Sequence, residues 1–517
     1  MKKQLLSALL VVSVLAPALI PVAVQADSEY PYQTYQYEAY QGQPEQPEQP
    51  IDENGWLTME ERIYGLSIIW RRAAEMSGFI AARPYYFDWD ALFLEYMPKV
   101  INAENMQEYY RVLTRFVNHL QDGKSAVQLP AAYAMPRYVF PIVVGFVENS
   151  FVLVTANTNF TDIPLGSEII SINELAPMDF LEETYGYTFG NRTPIVRETA
   201  LASQLTISPY EASITLEALT PQGETIRETI TYIPFTEEFM AYFAAAETLA
   251  VQATFGSDPI PLEHGATAVV HDGDIHRIII ATFGNPALPE AVVQYIESVA
   301  GTAAGFILDI RGNNGGTSDM LILSQFADPR EFPTPTAYRQ VRDASIMGLA
   351  AQLLSVEMMG WAVPEGIEDV TVHGFTVQQG RDMLESRHLQ QLYDFGGMDL
   401  WDADLLYEQS LRLFDIPVVI LMDYMSASAA ESFVLSAQGV NNFTVMGTHT
   451  IGMAGDIVPF VLPGGGMFML NVPKQLTPDG QIINNQGVSP DIWVQQSLAD
   501  LLDGIDTQLL AALEYLG

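Results

Sequence analysis

The chain of 517 residues contains no cysteine and very little lysine. Its formal net charge is -40. The negative electrostatic field of such a chain repels nucleic acid and anionic lipid surfaces. We therefore expect no nucleic-acid partner. Beyond residue 26 the lysines are Lys99, Lys124 and Lys474, and the other positive charges come from arginine. A lysine in a chemically useful place is for that reason informative in this chain.

Long apolar runs are also scarce, and the longest lies at the start. Residues 1–26 begin with two lysines, continue with an apolar run from Leu5 to Val24, and end Val24-Gln25-Ala26, as a signal peptidase site does. We predict a cleaved signal peptide. No later run is long enough to span a membrane. The mature protein is expected to be secreted or extracytoplasmic, and large enough to fold without disulfides.

The length predicts two or three domains. The order of the domains follows from the spacing of the apolar residues. This spacing is first helical and then of β type, with turn residues between the runs. The predicted segments are a signal peptide at 1–26, a disordered Pro/Gln/Tyr-rich linker at 27–54, a helical domain at 55–135, a β-rich module at 136–235, a connecting helix at 236–261, and an α/β core at 262–517 with a helical insert at 345–412 and a closing helix at about 501–516. The fold class is therefore mixed α/β.

The β-rich module contains the sequence G-S-E-I-I-S-I-N-E at residues 166–174. This stretch resembles the G-D-x-I-x-x-I-N-G segment of PDZ domains, which implies a PDZ-like module that binds extended peptide by strand addition. Another small β module remains the alternative.

A serine lies at a strand-to-helix turn in the core. The run I-P-V-V-I-L-M at 416–422 predicts a buried strand, residues 429–438 predict a helix, and Ser428 lies between them. There a hydroxyl is close to unpaired backbone N–H groups that can stabilise an oxyanion. The alternative is that Ser428 only caps the helix.

A glycine-rich turn follows an earlier core strand. The sequence R-G-N-N-G-G-T at 311–317 includes Gly315 and Gly316, and such turns let backbone N–H groups converge on a negative group. It lacks the spacing of a phosphate-binding loop. An oxyanion-binding turn is predicted, and a tight connection with no chemical role is the alternative.

Five motifs occur in order within residues 277–492: I-L-D-I-R-G-N-N-G-G, S-A-S-A-A-E, V-M-G-T-H-T-I-G, L-T-P-D-G and N-N-Q-G-V-S-P-D-I. Together they resemble the tail-specific, or C-terminal processing, serine peptidases. The resemblance implies a ClpP/crotonase-type α/β protease core behind a helical domain and a PDZ-like module. It also implies that Ser428 is the nucleophile, with the backbone of Ala429 and of Gly315 or Gly316 as oxyanion donors.

The chain departs from the family at the general base. Where one branch has a lysine, in T-F-G-K-G, this chain has Met453, and a thioether accepts no proton at neutral pH. Where the tricorn-like branch has a histidine, in D-G-H-T, this chain has Lys124. The position of an orienting acid in some relatives corresponds to about Asn484, which does not ionise.

We therefore predict a secreted serine endopeptidase in which Ser428 attacks the substrate carbonyl and Lys124 is the base. Its substrates would be extended or C-terminal segments of peptides and proteins. His119 and His449 are alternative bases. A catalytically inactive peptide-binding homologue is the alternative function, and a tethered scaffold is a third. No metal or other cofactor is expected, because no histidines or carboxylates cluster at ligand spacing.

Overall fold

The computed structural model describes residues 56–81, 87–130, 133, 138–186, 194–208, 211–236, 246–249, 251, 256–316, 320–333, 336–338, 371–372, 375–376, 414–455 and 457–517. The predicted signal peptide and linker lie outside these ranges. Within them, no helix combines the length and apolar character needed to cross a bilayer. The same residues contain no group of three or more histidines and carboxylates arranged to hold a metal ion.

The N-terminal region is helical, as its apolar spacing predicts. Its helices are α1 (Met59–Met76), α2 (Gly78–Ala81), α3 (Trp89–Ile101) and α4 (Met106–Asn118). Helix α1 begins with a capping box between Thr58 and Glu61. The helices bury a shared core of aliphatic and aromatic side chains, with Trp89 stacked on Phe116. Strand β1 (Ala126–Gln128) follows shortly after α4.

The middle region is a β-rich unit with its own core. Its strands are β2 (Tyr138–Val139), β3 (Val143–Val147), β4 (Ser150–Ala156), β5 (Glu168–Ile172), β6 (Ile207–Ser208), β7 (Ser213–Leu219), β8 (Thr225–Thr231) and β9 (Ile233–Pro234), with helices α5 (Pro177–Tyr185) and α6 (Pro194–Gln204). The main sheet has the order β10-β4-β5-β7-β8, in which β10 is Glu247–Thr248 further along the chain, and β3 pairs with β4. The PDZ-like stretch contributes β5, a strand inside this sheet.

The predicted connecting helix at 236–261 is wrong where the structure describes it. Strand β10 (Glu247–Thr248) pairs antiparallel with β4, and β11 (Ile260–Pro261) pairs with the first long strand of the core. The helical spacing is overridden because these residues complete the edges of two sheets. The rest of the predicted helix lies largely outside the described residues.

The C-terminal region contains the strands β12 (Thr267–His271), β13 (Ile275–Ile279), β14 (Gly305–Asp309), β18 (Val418–Met422), β19 (Phe443–Gly447) and β23 (Ile492–Trp493). Together with β11 they form a seven-stranded sheet in the order β11-β12-β13-β14-β18-β19-β23. From β13 to β23 neighbouring strands are parallel. Their carboxyl ends therefore meet at one edge, where ligand sites form in open α/β sheets.

Helices cover both faces of this sheet, which explains why its central strands are apolar without alternation. One face packs against α7 (Leu288–Val299), α8 (Met320–Leu323) and α9 (Ala429–Ala437). The other face packs against α11 (Thr507–Leu516). The single closing helix predicted at 501–516 is instead two helices, α10 (Leu498–Leu502) and α11. They are separated at Gly504, whose φ is +74°, and Asp506 caps α11.

A hairpin of the C-terminal region joins it to the N-terminal helices. Strands β20 (Ile457–Val461) and β21 (Met467–Asn471) form the hairpin, and β1 adds to it beside β21. Phe468 and Leu470 of β21 belong to the helical core. The hydroxyl of Tyr110 donates to the carbonyl of Pro463 at 2.9 Å and accepts from the N–H of Gly466 at 2.8 Å. The helical unit is thus docked on the core through this hairpin.

The predicted helical insert at 345–412 lies mostly outside the described residues. The parts that are described form a strand pair, β16 (Thr371–Val372) and β17 (Phe375–Thr376), where the prediction was helix. Before the insert, β15 (Thr336–Tyr338) pairs antiparallel with β22 (Lys474–Leu476).

Candidate active site

The turn between β18 and α9 gives Ser428 an uncommon backbone conformation. Its φ is +56° and its ψ is -117°. A non-glycine residue with positive φ is strained, and such strain is found at functional sites where the surrounding structure enforces it. Ser428 occupies the N-cap position of α9, as both interpretations of the sequence expected. A helix cap requires no positive φ, whereas a nucleophile exposed on a sharp strand-to-helix turn has one.

The glycine-rich turn after β14 lies directly against Ser428. A Cβ atom built on Gly315, whose φ is +96°, would be 2.7 Å from Cβ of Ser428 and 3.0 Å from the backbone nitrogen of Ala429. Only glycine fits there without displacing the serine. The serine turn and the glycine-rich turn are therefore neighbours in space.

The predicted oxyanion donors differ in their availability. The N–H of Gly315 donates to Oδ1 of Asn313 at 2.8 Å, and its carbonyl accepts from the N–H of Phe283. Within the described part of the chain, no group accepts from the N–H of Ala429 or of Gly316. The geometry therefore favours Ala429 and Gly316 over Gly315 as donors. Gly315 instead provides the close approach of the two turns.

Lys124 reaches this site from the other end of the sequence. Its Nζ lies 3.0 Å from Oγ of Ser428, although the two residues are 304 positions apart. The same Nζ donates a hydrogen bond to the carbonyl of Gly455, which fixes its direction. Across the described ranges, Lys124 is the one titratable side chain hydrogen-bonded to the Ser428 hydroxyl.

The loop that carries Lys124 is held by a buried carboxylate. Oδ1 of Asp122 accepts from the N–H of Lys124 at 2.8 Å and from the N–H of Ser125 at 2.5 Å, and Oδ2 accepts from the Ser125 hydroxyl at 2.5 Å. The oxygen of that hydroxyl accepts in turn from the N–H of Asn471 at 2.9 Å. These bonds connect the loop to β21, so the base position depends on the docked hairpin.

Glu431, on the first turn of α9, is fully buried beside the nucleophile. Its carboxylate accepts from the hydroxyl of Thr450 at 2.6 Å and from the N–H groups of Gly452 at 2.8 Å and Ser428 at 3.1 Å. Burial raises the pKa of Glu431, while these hydrogen bonds and the positive charge of Lys124 act in the opposite direction. Glu431 is not among the site residues predicted from the sequence, although S-A-S-A-A-E contains the S-x-x-E spacing of a capping box.

The alternative bases have other neighbours. Nε2 of His119 lies 3.0 Å from the Tyr96 hydroxyl, and Nδ1 of His449 lies 3.1 Å from the Ser489 hydroxyl. Burial lowers the pKa of His449. Because neither ring is hydrogen-bonded to the Ser428 hydroxyl, the geometry favours Lys124 over both.

The two positions at which the family pattern is broken give no ionisable partner. Met453 carries a thioether at the place of the lysine of the other branch. Asn484 is buried and structural: its Oδ1 accepts from the N–H of Gln475 at 2.7 Å, and its Nδ2 donates to the carbonyl of Ala454 at 2.7 Å. The latter bond positions the residue before Gly455, whose carbonyl accepts from Lys124.

Part of the chain is similar to a known peptidase family. Residues 274–494 match the model of peptidase family S41. This part of the chain is therefore similar to that family, and the resemblance to C-terminal processing peptidases is confirmed.

Two curated relatives match a shorter part of the chain. The carboxy-terminal-processing protease of Bartonella bacilliformis is 33% identical over 95 residues, which are 18% of this chain and 21% of that protein. The carboxyl-terminal-processing protease of Synechocystis is 32% identical over 105 residues, which are 20% of this chain and 25% of that protein. The chain thus spans about a fifth to a quarter of the length of these relatives.

A solved structure extends the likeness in fold to almost the whole chain. The crystal structure of mature CPAF superposes with a TM-score of 0.63 and 17% identity, covering 89% of this chain and 96% of that one. The mixed α/β fold with a helical N-terminal region is thereby confirmed.

Proposed function

We propose that this protein is a serine peptidase in which Ser428 is the nucleophile and Lys124 is the general base. The observation that carries the proposal is the 3.0 Å separation of Lys124 Nζ and Ser428 Oγ at a strained strand-to-helix turn. A nucleophile within hydrogen-bond reach of its base, with the base oriented by a third group, is the signature of an activated serine. Here the third group is the carbonyl of Gly455.

The reaction follows from these positions. The neutral amine of Lys124 accepts the proton of the Ser428 hydroxyl while Oγ attacks the carbonyl carbon of the substrate. The N–H groups of Ala429 and Gly316 stabilise the oxyanion of the tetrahedral intermediate. The Lys124 ammonium then donates its proton to the leaving amine, which gives an acyl-enzyme. Water, deprotonated by Lys124, hydrolyses the ester and regenerates Ser428.

The proposed substrates are extended or C-terminal segments of peptides and proteins. The proposed enzyme is an endopeptidase that acts outside the cytoplasm. The curated relatives are named as carboxy-terminal-processing proteases, which supports this class. The middle region, whose strand β5 carries the PDZ-like stretch, would hold such a segment by strand addition.

A fluorophosphonate probe tests the proposal, because it reacts covalently with an activated serine. We expect wild type to be labelled and Ser428→Ala not to be labelled, with both proteins showing the same thermal unfolding. Ser436, buried on the same helix α9, provides the control variant Ser436→Ala, which should label like wild type. A folded wild type that is not labelled would instead favour the non-catalytic peptide-binding homologue.

A further inference from the structure

The carboxylate of Glu431 is fully buried, and the proposed reaction gives it no role. It accepts three hydrogen bonds from groups that lie on two different segments of the chain. A buried carboxylate is costly unless its lone pairs are used in this way.

The first segment is the nucleophile turn. Glu431 accepts from the N–H of Ser428 at 3.1 Å, so the carboxylate constrains the peptide whose φ is +56°. The strained conformation needs a group that enforces it. Glu431 is three residues further along the same helix and is itself immobilised by complete burial.

The second segment supports the base. Glu431 accepts from Thr450 and from the N–H of Gly452, and the carbonyl of Gly452 accepts from Asn485 at 2.8 Å. A Cβ built on Gly123 would lie 2.2 Å from Oδ1 of Asn485 and 3.5 Å from the Gly452 carbonyl oxygen. The loop of Lys124 therefore rests on the segment that Glu431 holds. That segment continues to Gly455, the hydrogen-bond acceptor of Lys124 Nζ.

We propose that Glu431 is a positioning residue that fixes the distance between Ser428 and Lys124 by joining the nucleophile turn to the segment beneath the Lys124 loop. The assignment rests on the proposed function, because it gives those two residues their roles. An amide cannot replace the carboxylate fully. Three donors face its two oxygens, whereas glutamine offers one oxygen and would direct its NH2 group at one of these donors.

The test is Glu431→Gln, which preserves side-chain size. Its matched control is Glu61→Gln in α1, where Glu61 likewise accepts from the N–H of an N-cap residue, Thr58, at 2.7 Å, but in the helical unit. Peptide hydrolysis is measured well below the melting temperature of each protein. We expect kcat of Glu431→Gln to fall on the order of 100-fold, the scale for a misplacement of about 1 Å, with KM changed little. Glu61→Gln should keep the kcat and KM of wild type.

A crystal structure of Glu431→Gln supplies a readout that does not require activity. We expect the Nζ–Oγ separation to exceed the 3.0 Å of the native chain, or φ of Ser428 to leave +56°. An unchanged separation with unchanged kcat overturns the positioning role, even if wild type labels normally. A wild type that fails to label overturns the proposed function instead, and the structural comparison still decides the role of Glu431.

Thr450→Val provides a second variant if Glu431→Gln does not fold. It removes the hydroxyl that donates to Glu431 and leaves the carboxylate in place. We expect a smaller fall in kcat, on the order of tenfold, again with KM preserved. Wild-type kcat in folded Thr450→Val would contradict the proposal.

Discussion

The two halves of the candidate site are held in place in different ways. Ser428 follows β18, all five residues of which are buried, and β18 lies between β14 and β19 in the parallel sheet. The helix after it, α9, is also almost entirely buried. The nucleophile is therefore fixed by the core of the domain that contains it, where packing leaves little freedom.

Lys124 has no such core around it. It lies on a loop between α4 and β1, and the loop is brought to Ser428 by the pairing of β1 with β21 and the docking of the helical unit on the hairpin. The position of Ser428 therefore depends on the core that contains it. The contact between Ser428 and Lys124 depends in addition on the docking of the helical unit on that core. We call the Lys124 loop and the helical unit the base half of the site, and β18, Ser428 and α9 the nucleophile half. Changes in the base half should lower activity while leaving the fold of the nucleophile half intact.

Removal of the base is expected to have the largest effect on activity. We expect Lys124→Ala to lower kcat/KM by about 10² to 10⁴, the range that general base catalysis contributes, with little change in thermal stability. Lys99→Ala is the matched control, because Lys99 is exposed on α3, where it pairs with Glu95 and lies over the ring of Tyr96. Wild-type activity in Lys124→Ala would remove this residue from the mechanism and favour His119 or His449 as the base.

The pH dependence of activity distinguishes a lysine base from a histidine base. A lysine must be neutral to accept the serine proton, and the ordinary pKa of lysine is about 10.4, against about 6.5 for histidine. Activity of wild type should therefore rise as pH increases into the alkaline range, and any residual activity of Lys124→His should level off closer to neutral pH. Identical profiles for the two proteins would contradict a base role for Lys124.

The same difference explains which residues of the site could be predicted from local sequence patterns. The turn with Ser428 and the neighbouring glycine-rich turn are legible because strand, turn and helix signals are local and consecutive. Lys124 was found by its place in a family motif, since no local pattern marks a lysine that acts 304 residues away.

Other features depend on tertiary contacts that no local pattern contains. The hydrogen bond from Gly315 to Asn313 and the role of buried Glu431 became visible only in the structure. The predicted connecting helix was wrong at Glu247–Thr248 because pairing with the edge of β4 overrode its helical spacing. The closing helix was wrong because local spacing did not reveal the break at Gly504.

A methyl group at Gly315 should disturb the nucleophile half from within. In Gly315→Ala the new Cβ would lie 2.7 Å from Cβ of Ser428 and 2.8 Å from the Ala427 carbonyl oxygen. We expect kcat to fall on the order of 100-fold, as for removal or misplacement of one oxyanion donor. The control is Gly312→Ala in the same turn, where φ is also positive but no atom lies within 4 Å of the built Cβ. An equal loss of activity in the two variants would show that backbone strain, not contact with Ser428, causes the loss.

The smallest effect is expected at the anchor of the base half, Asp122. In Asp122→Asn the side-chain oxygen can still accept from the N–H of Lys124, but the new NH2 group faces the Ser125 hydroxyl that donates to the second carboxylate oxygen. Because that hydroxyl oxygen already accepts from Asn471, the link between the loop and β21 is weakened. Loss of one charge-assisted hydrogen bond is worth about 1.5 to 3 kcal/mol.

Part of that loss should appear as looser placement of Lys124, which we expect to lower kcat up to about tenfold, equivalent to about 1.4 kcal/mol. Labelling of Ser428 should be slowed by the same factor, and the melting of the core should be unchanged, because the nucleophile half does not depend on Asp122. Asp88→Asn is the control, since Asp88 also accepts from a backbone N–H in the helical unit, that of Ala91 at 2.8 Å, but is exposed and caps α3. If Asp122→Asn left the labelling rate unchanged, Asp122 would not be needed to place the Lys124 loop, and the contacts of the loop with the hairpin and with the segment that Glu431 holds would be sufficient.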